Sequence, residues 1–120
     1  MAYICSDPEK YRGQPVVGGG QCVELVVKAC GAPPSSSWSQ GAKVKSSAPL
    51  LRGTAIATFF NGKYPNKATG NHAAIYLSHG PQGIEVLDQW KSHDPAERTI
   101  HYLPGDDDPA NDGDFYYVVE

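Results

Sequence analysis

The sequence of 120 residues has little of several features that would assign it to a function class. Its net charge of only −3 argues against a protein that binds nucleic acid through phosphate contacts. No apolar run reaches the roughly 18 residues that a membrane-spanning helix needs, so no membrane insertion is expected. Residues 1–7 lack a basic segment followed by an apolar one, which argues against a Sec signal peptide. We therefore expect synthesis in the cytoplasm, with export only by another machine.

Cysteine is also scarce, with Cys5, Cys22 and Cys30 as the three examples. No Cys-x-x-Cys occurs, which excludes a zinc ribbon or a thioredoxin motif. An odd number leaves at least one free thiol, and Cys5 and Cys30 could pair in an oxidising compartment. The acidic run at 106–114 departs from a calcium loop and is interpreted as a solvated loop. No metal or other cofactor is expected.

The hydrophobic fraction of 40% and the length are typical of one globular domain, here over residues 1–120. The order of the predicted elements indicates the α+β class. Val23, Val26, Val27 and Cys30 share one face of a helix predicted over residues 21–30, which ends before Gly31. A short helical turn is predicted at 38–44. Apolar, β-branched segments predict strands at 54–60, 72–78, 84–90, 100–103 and 115–119. The expected architecture is an N-terminal helix packed on an antiparallel meander.

Cys22 stands in the first turn of the predicted helix, directly after three glycines. The positive end of the helix dipole and the unpaired N–H groups there favour thiolate over thiol. The glycines let a substrate approach the backbone, and the Cys22 N–H can serve as an oxyanion donor. A small buried cysteine under the helix is the alternative interpretation.

Two further residues supply the partners that a nucleophilic cysteine needs. His72 begins a strand at a predicted sheet end, where a general base fits. With Pro81 near the turn centre, His72 lies opposite Trp90 and diagonal to Asp88, whereas a shift of one residue presents Gln89 instead. In the register that places Asp88 on the same face as His72, its carboxylate would orient the imidazole and stabilise the imidazolium. A solvated strand-end aspartate remains the other interpretation.

Four segments resemble the CHAP and NlpC-type branch of the papain-like cysteine amidases and peptidases. They are Gly20-Gln21-Cys22-Val23-Glu24-Leu25-Val26, residues 53–59, Gly70-Asn71-His72-Ala73-Ala74-Ile75-Tyr76 and Glu85-Val86-Leu87-Asp88-Gln89-Trp90, in family order over residues 18–90. The chain departs from the family at Thr54, where Asp is usual, and at Trp90, where Asn often follows the acidic residue.

The resemblance implies a papain-like hydrolase that cleaves an amide bond in the peptidoglycan stem peptide. It implies Cys22 as nucleophile, His72 as base and Asp88 as third residue. Independently of the resemblance, Gln21 and Gln89 are candidate oxyanion or substrate-binding side chains. Without a Sec signal, the chain is similar to type VI secretion amidase toxins, which act in the periplasm of a target cell and for which an immunity protein is a candidate partner.

Two other functions stay open at this stage. An inactive relative that only binds would keep the fold with an unreactive Cys22, and a cysteine deamidase or transferase would act on protein glutamine. Four aromatic side chains are candidates to line a substrate groove: Tyr11, Trp38, Tyr64 and Trp90.

Overall fold

The computed structural model describes residues 1–102, 105 and 107–120, which form one α-helix and six strands. The elements are α1 (Cys22–Cys30), β1 (Gln40–Lys43), β2 (Ala55–Thr58), β3 (Ala73–His79), β4 (Gly83–Trp90), β5 (His93–His101) and β6 (Tyr116–Val119). Short 3-10 helices cover Pro8–Tyr11, Ser35–Ser37, Pro109–Asn111 and Gly113–Phe115. The predicted α+β class is confirmed.

The six strands make one antiparallel sheet in the order β1-β6-β2-β3-β4-β5. Strands β2 to β5 follow each other as the expected meander. The prediction is wrong for β6, which returns to the sheet interior and lies between β1 and β2. Tyr116, Val118 and Val119 are all buried there, because a central strand is covered on both faces.

Helix α1 packs on β3 and β4 and presents Leu25, Val26 and Cys30 to the core. The buried face of α1 is therefore rotated around the helix axis relative to the apolar face predicted from the sequence. Val23 and Val27 are only half-buried and line an open cleft of about 480 Å³ on the outer side of α1. Gly31 ends the helix with a φ of 67°, a left-handed conformation that glycine adopts without steric cost.

The opposite face of the sheet carries a second buried cluster that includes Ile56, Tyr76, Val86 and Tyr116. Both faces are thus covered, which explains why β2 and β3 are continuous apolar runs rather than alternating patterns. Among the described residues, no helix combines the length and apolar character needed to cross a bilayer.

Two segments differ from the sequence-based prediction. The helical turn predicted at 38–44 is wrong, because Gln40–Lys43 forms β1 and pairs with β6. The strand predicted at 100–103 begins earlier, at His93, and includes Pro95, which fits an edge strand with one unpaired side. Residue 103 of that prediction, and residue 106 of the acidic run, lie outside the described residues.

Candidate active site

Cys22, His72 and Asp88 meet where α1 begins, β3 begins and β4 ends. Neighbouring antiparallel strands place the start of one beside the end of the next. Ile75 pairs with Leu87, the register expected with Pro81 near the turn centre. Because α1 packs across these two strands, its first turn lies above the same end of the sheet.

His72 is held from both sides. Its backbone N–H donates to the Thr58 hydroxyl at 3.0 Å, and its carbonyl accepts from the Thr58 N–H at 3.0 Å. Its Nε2 lies 2.7 Å from Oδ2 of Asp88. The ring also interacts with Cys22, and since Nε2 faces Asp88, Nδ1 is the nitrogen left for the thiol. The imidazole therefore bridges a nucleophile and a carboxylate.

The surroundings of Cys22 favour its ionised form. Burial has the largest single influence on its pKa and raises it, but the His72 side chain, the Ala73 backbone and the Tyr64 hydroxyl together bring the pKa below the ordinary thiol value. Burial alone would lower the pKa of His72, yet its bonds to Asp88 and Cys22 raise that pKa to about 9. The two shifts together favour a thiolate–imidazolium pair.

Asp88 is fully buried, so its charge needs compensation. Its Oδ2 also accepts a 2.7 Å hydrogen bond from Nε of Arg98. Burial raises the pKa of Asp88, but His72 and Arg98 outweigh that effect and hold it below the usual carboxyl value. The other oxygen, Oδ1, lies 3.8 Å from Nε2 of His93, which is beyond hydrogen-bond distance. Asp88 therefore links one β5 side chain, Arg98, to His72 through a shared oxygen.

Gln89 differs from its sequence-based assignment as an oxyanion or substrate-binding residue. Its side chain is fully buried and points to the glycine-rich loop before α1. Its Oε1 accepts from the Val17 N–H at 2.7 Å, and its Nε2 donates to the Val17 carbonyl at 3.0 Å and to the Gln21 carbonyl at 2.9 Å. Both amide N–H groups are thus used by the backbone, which leaves none for a substrate.

Glu24 fastens the same loop from the helix side. Its carboxylate accepts from the Gly19 and Gln21 N–H groups, each at 2.9 Å, and these bonds lower its pKa. Gly18 has a φ of 61°, and a Cβ there would lie 2.6 Å from Oε1 of Glu24. The Gln21 side chain is exposed at the helix start. The Gln89 amide and the Glu24 carboxylate thus act as two clamps on the loop before α1. Together they fix the backbone that carries the Cys22 N–H.

The predicted groove aromatics divide into three groups. Trp90 and Tyr64 lie at the site: Trp90 packs edge-on to His72 with 6.3 Å between ring centroids, and the Tyr64 hydroxyl lies 3.8 Å from Sγ of Cys22. Trp38 is buried behind Tyr64 at 5.1 Å between ring centroids. Tyr11 lines a separate cleft of about 520 Å³ on the outer side of the glycine loop.

A smaller pocket of about 210 Å³ opens beside the base and is lined by His72, Trp90, Arg98, Ala110 and Asn111. The clefts beside Tyr11 and beside Val23 contain neither Cys22 nor His72. We take the smaller pocket as the one relevant to chemistry, because its lining includes the imidazole of His72.

Sequence reasoning missed Arg98, His93 and Thr58 as partners of the site. Arg98 and His93 belong to a polar part of β5 that carries no apolar alternation, so nothing in the sequence indicated that it pairs with β4. Thr58 ends a strand that was predicted, but its pairing with His72 depends on register. Among the described residues, no group of three or more His, Cys, Asp or Glu side chains is placed to hold a metal ion. Cys5 and Cys30 are buried and unpaired.

Comparisons with known proteins agree with one another. Residues 1–119 match the family described as domesticated amidase effector 2. A type VI secretion amidase effector 2 protein of Salmonella typhi is 42% identical over 92 residues, which cover 76% of this chain and 69% of the relative. Domesticated amidase effector 2 of Ixodes scapularis is 38% identical, covering 97% of this chain and 83% of that protein. A solved structure of type 6 secretion amidase effector 2 superposes with a TM-score of 0.88 at 35% identity, covering 98% and 94% of the two chains.

Proposed function

Because this chain belongs to the domesticated amidase effector 2 family, we propose that it cleaves an amide bond in the peptidoglycan stem peptide with Cys22 as the nucleophile. The observation that carries the proposal is the chain of contacts from Cys22 through His72 to Asp88. We infer a papain-like hydrolase of the CHAP and NlpC type, with a catalytic helix at the start of one hydrolase domain over residues 1–120, and these contacts support that inference.

The reaction begins from the thiolate–imidazolium pair. Sγ of Cys22 attacks the amide carbonyl, and the carbonyl oxygen becomes an oxyanion. When the C–N bond breaks, protonated His72 gives its proton to the leaving amine, and a thioester remains on Cys22. Neutral His72 then takes a proton from water, whose oxygen attacks the thioester, and the carboxylic acid leaves as the thiolate of Cys22 and protonated His72 are restored. Asp88 holds the ring so that one nitrogen always faces Cys22.

The oxyanion is placed beside the start of α1. The Cys22 N–H belongs to the first turn of the helix, where backbone donors have no carbonyl partner within the helix. The clamps formed by Gln89 and Glu24 hold that donor in place before substrate arrives. Gln21 remains a candidate side-chain donor, since it is exposed beside Cys22, while Gln89 acts on the loop instead of on the substrate.

The direct test is digestion of purified peptidoglycan, followed by product masses, with the wild type and Cys22→Ala. We expect new amine and carboxylate ends from the wild type and none from Cys22→Ala, with a melting temperature close to that of the wild type. His72→Ala should also lose activity, while His101→Ala, which changes an exposed histidine at the end of β5, should keep it. Hydrolysis by Cys22→Ala would refute the proposed mechanism, and activity only on a glutamine-containing protein would refute the substrate.

We also propose the place of action. The Salmonella typhi relative and the solved structure are both named as type VI secretion amidase effectors. As such an effector, this protein would be made in the producing cell and act in the periplasm of a target cell. An immunity protein in the producing cell would bind and inhibit it. Expression in the bacterial cytoplasm should be harmless, and the same protein directed to the periplasm should lyse cells unless Cys22 is Ala. Survival of cells with wild-type protein in the periplasm would contradict this proposal.

A further inference from the structure

Tyr64 brings a phenol to the nucleophile from the polar loop between β2 and β3. Its ring is buried and packs edge-on against Trp38, with 5.1 Å between ring centroids. Its hydroxyl oxygen lies 3.8 Å from Sγ of Cys22. The ring is thus held by core packing, and only the hydroxyl reaches the site.

The orientation of the hydroxyl follows from its neighbours. The Lys67 backbone N–H points to Oδ1 of Asn71 at 2.6 Å, and because a backbone N–H can only donate, the Asn71 atom there must be the oxygen. The other atom of that amide, Nδ2, therefore faces Tyr64 and donates to its hydroxyl oxygen at 3.2 Å. The Tyr64 oxygen accepts from Asn71, so its own proton is free to point at Cys22.

In the part of the chain that the structure describes, Asn71 and Cys22 are the polar contacts of this hydroxyl. A substrate oxygen on the attacked carbon would be two covalent bonds from Sγ. A donor 3.8 Å from Sγ is within reach of that oxygen as the bond to sulfur forms. No proton transfer is required, since the phenol only donates a hydrogen bond.

We propose that Tyr64 is a catalytic residue whose hydroxyl, oriented by Asn71, donates to the Cys22 sulfur in the resting enzyme and to the oxyanion of the substrate during attack. The inference rests on the proposed amidase function of Cys22. With the Cys22 N–H, it supplies the oxyanion with two donors. Burial, followed by the negative charge on Cys22, raises the pKa of Tyr64, so the phenol keeps its proton wherever the thiolate exists.

The test is Tyr64→Phe, which keeps the ring that packs on Trp38 and removes only the hydroxyl. We expect kcat on peptidoglycan to fall roughly 10²- to 10³-fold with little change in KM, as for loss of an oxyanion donor. Tyr117→Phe is the matched control, because Tyr117 is half-buried and packs on Phe59, and it should keep the wild-type kcat. Melting temperatures of both variants show whether they fold. A kcat for Tyr64→Phe within about threefold of wild type would overturn the proposal.

Asn71→Asp tests the orientation of the phenol without touching it. An aspartate keeps an acceptor for the Lys67 N–H but accepts from Tyr64 as well, which turns the phenol proton away from Cys22. We expect the plateau of kcat across pH to fall towards that of Tyr64→Phe, and the same change in the Tyr64→Phe background to lower the plateau little further. A full additional loss in that background would contradict the proposed role of Asn71.

Iodoacetamide labelling of Cys22 separates this inference from the proposed substrate, because it needs no peptidoglycan. Tyr64→Phe should raise the labelling pKa of Cys22, since the thiolate loses a donor. An unchanged labelling pKa would overturn the contact with sulfur even if peptidoglycan proved not to be the substrate. A raised labelling pKa in an enzyme that leaves peptidoglycan intact would support the contact and refute only the substrate.

Discussion

Nε2 of His72 lies 2.7 Å from Oδ2 of Asp88, a carboxylate that is fully buried. The same oxygen accepts from Arg98 at 2.7 Å. Asp88 therefore stabilises both protonated His72 and the Arg98 guanidinium. Because they share one oxygen, the presence of Arg98 weakens the interaction of Asp88 with His72. This shared oxygen connects the base of the proposed reaction to a strand that takes no part in the chemistry.

Asp88→Asn should weaken hydrolysis without abolishing it. The amide can still hydrogen-bond to the ring, but the negative charge that raises the pKa of His72 is lost. We expect kcat to fall roughly 10²-fold and the alkaline limb of the pH profile to move to lower pH. Asp94→Asn, at an exposed position of β5, is the control and should leave the profile unchanged. A wild-type alkaline limb in Asp88→Asn would contradict the role of the carboxylate.

Arg98→Met should move the same limb in the opposite direction. Without the guanidinium, the charge of Asp88 acts on His72 alone, so the pKa of His72 rises. We expect a shift of up to about one pH unit upwards, together with a loss of about 2 kcal/mol in the free energy of unfolding because a buried charge loses a hydrogen-bond partner.

Arg12→Met is the matched control for this change. Arg12 pairs with Glu9 and Glu97 in solvent, so its loss should alter neither the pH profile nor the stability by much. A downward shift of the alkaline limb in Arg98→Met, measured beside this control, would show that Arg98 does not compete with His72 for Asp88.

The pH dependence of Cys22 should differ from that of the other two cysteines. The pKa of Cys22 is lowered and that of His72 is raised to about 9. The thiolate–imidazolium pair therefore exists at pH values between these two pKa values. Activity should rise with pH below the free-thiol pKa of about 8.5 and fall as His72 loses its proton near pH 9.

Iodoacetamide labelling of the native protein tests the acid limb directly. Cys5 and Cys30 serve as internal controls, because both are buried and burial raises their pKa values, to about 12 for Cys30. Only Cys22 should react, and His72→Ala should raise its labelling pKa. Labelling of Cys22 at the pKa of a free thiol would support a protein that binds without catalysis.

Gln89→Leu should affect both stability and rate. The variant leaves the Val17 N–H and the Val17 and Gln21 carbonyls without the amide that now satisfies them. We expect the free energy of unfolding to fall by about 2 kcal/mol, because part-buried backbone groups lose their partners, and kcat to fall because the Cys22 N–H is less firmly placed. Gln82→Leu, in the exposed turn between β3 and β4, is the control. Wild-type kcat in Gln89→Leu would contradict the role of the clamp.

Local signals in the sequence accounted for the helix and the central strands. Apolar spacing and Gly31 bounded α1, and the apolar runs after Gly53 and before Ser78 located β2 and β3. These signals succeed where a residue's own neighbours along the chain decide its conformation. They failed at Gln40–Lys43 and His93–Thr99, since both are edge segments whose strand conformation comes from pairing with a distant partner.

The same distinction applies to the site. Cys22, His72 and Asp88 could be named from the residue order, because a helix start after glycines and the ends of two hairpin strands are features that local sequence specifies. The register then decided that Asp88, rather than Gln89, meets His72, and it turned Gln89 to the loop before α1. Arg98 and the orientation of Tyr64 became visible only once β5 and the loop before β3 were folded, because hydrogen bonds between residues far apart in sequence depend on how separate elements pack.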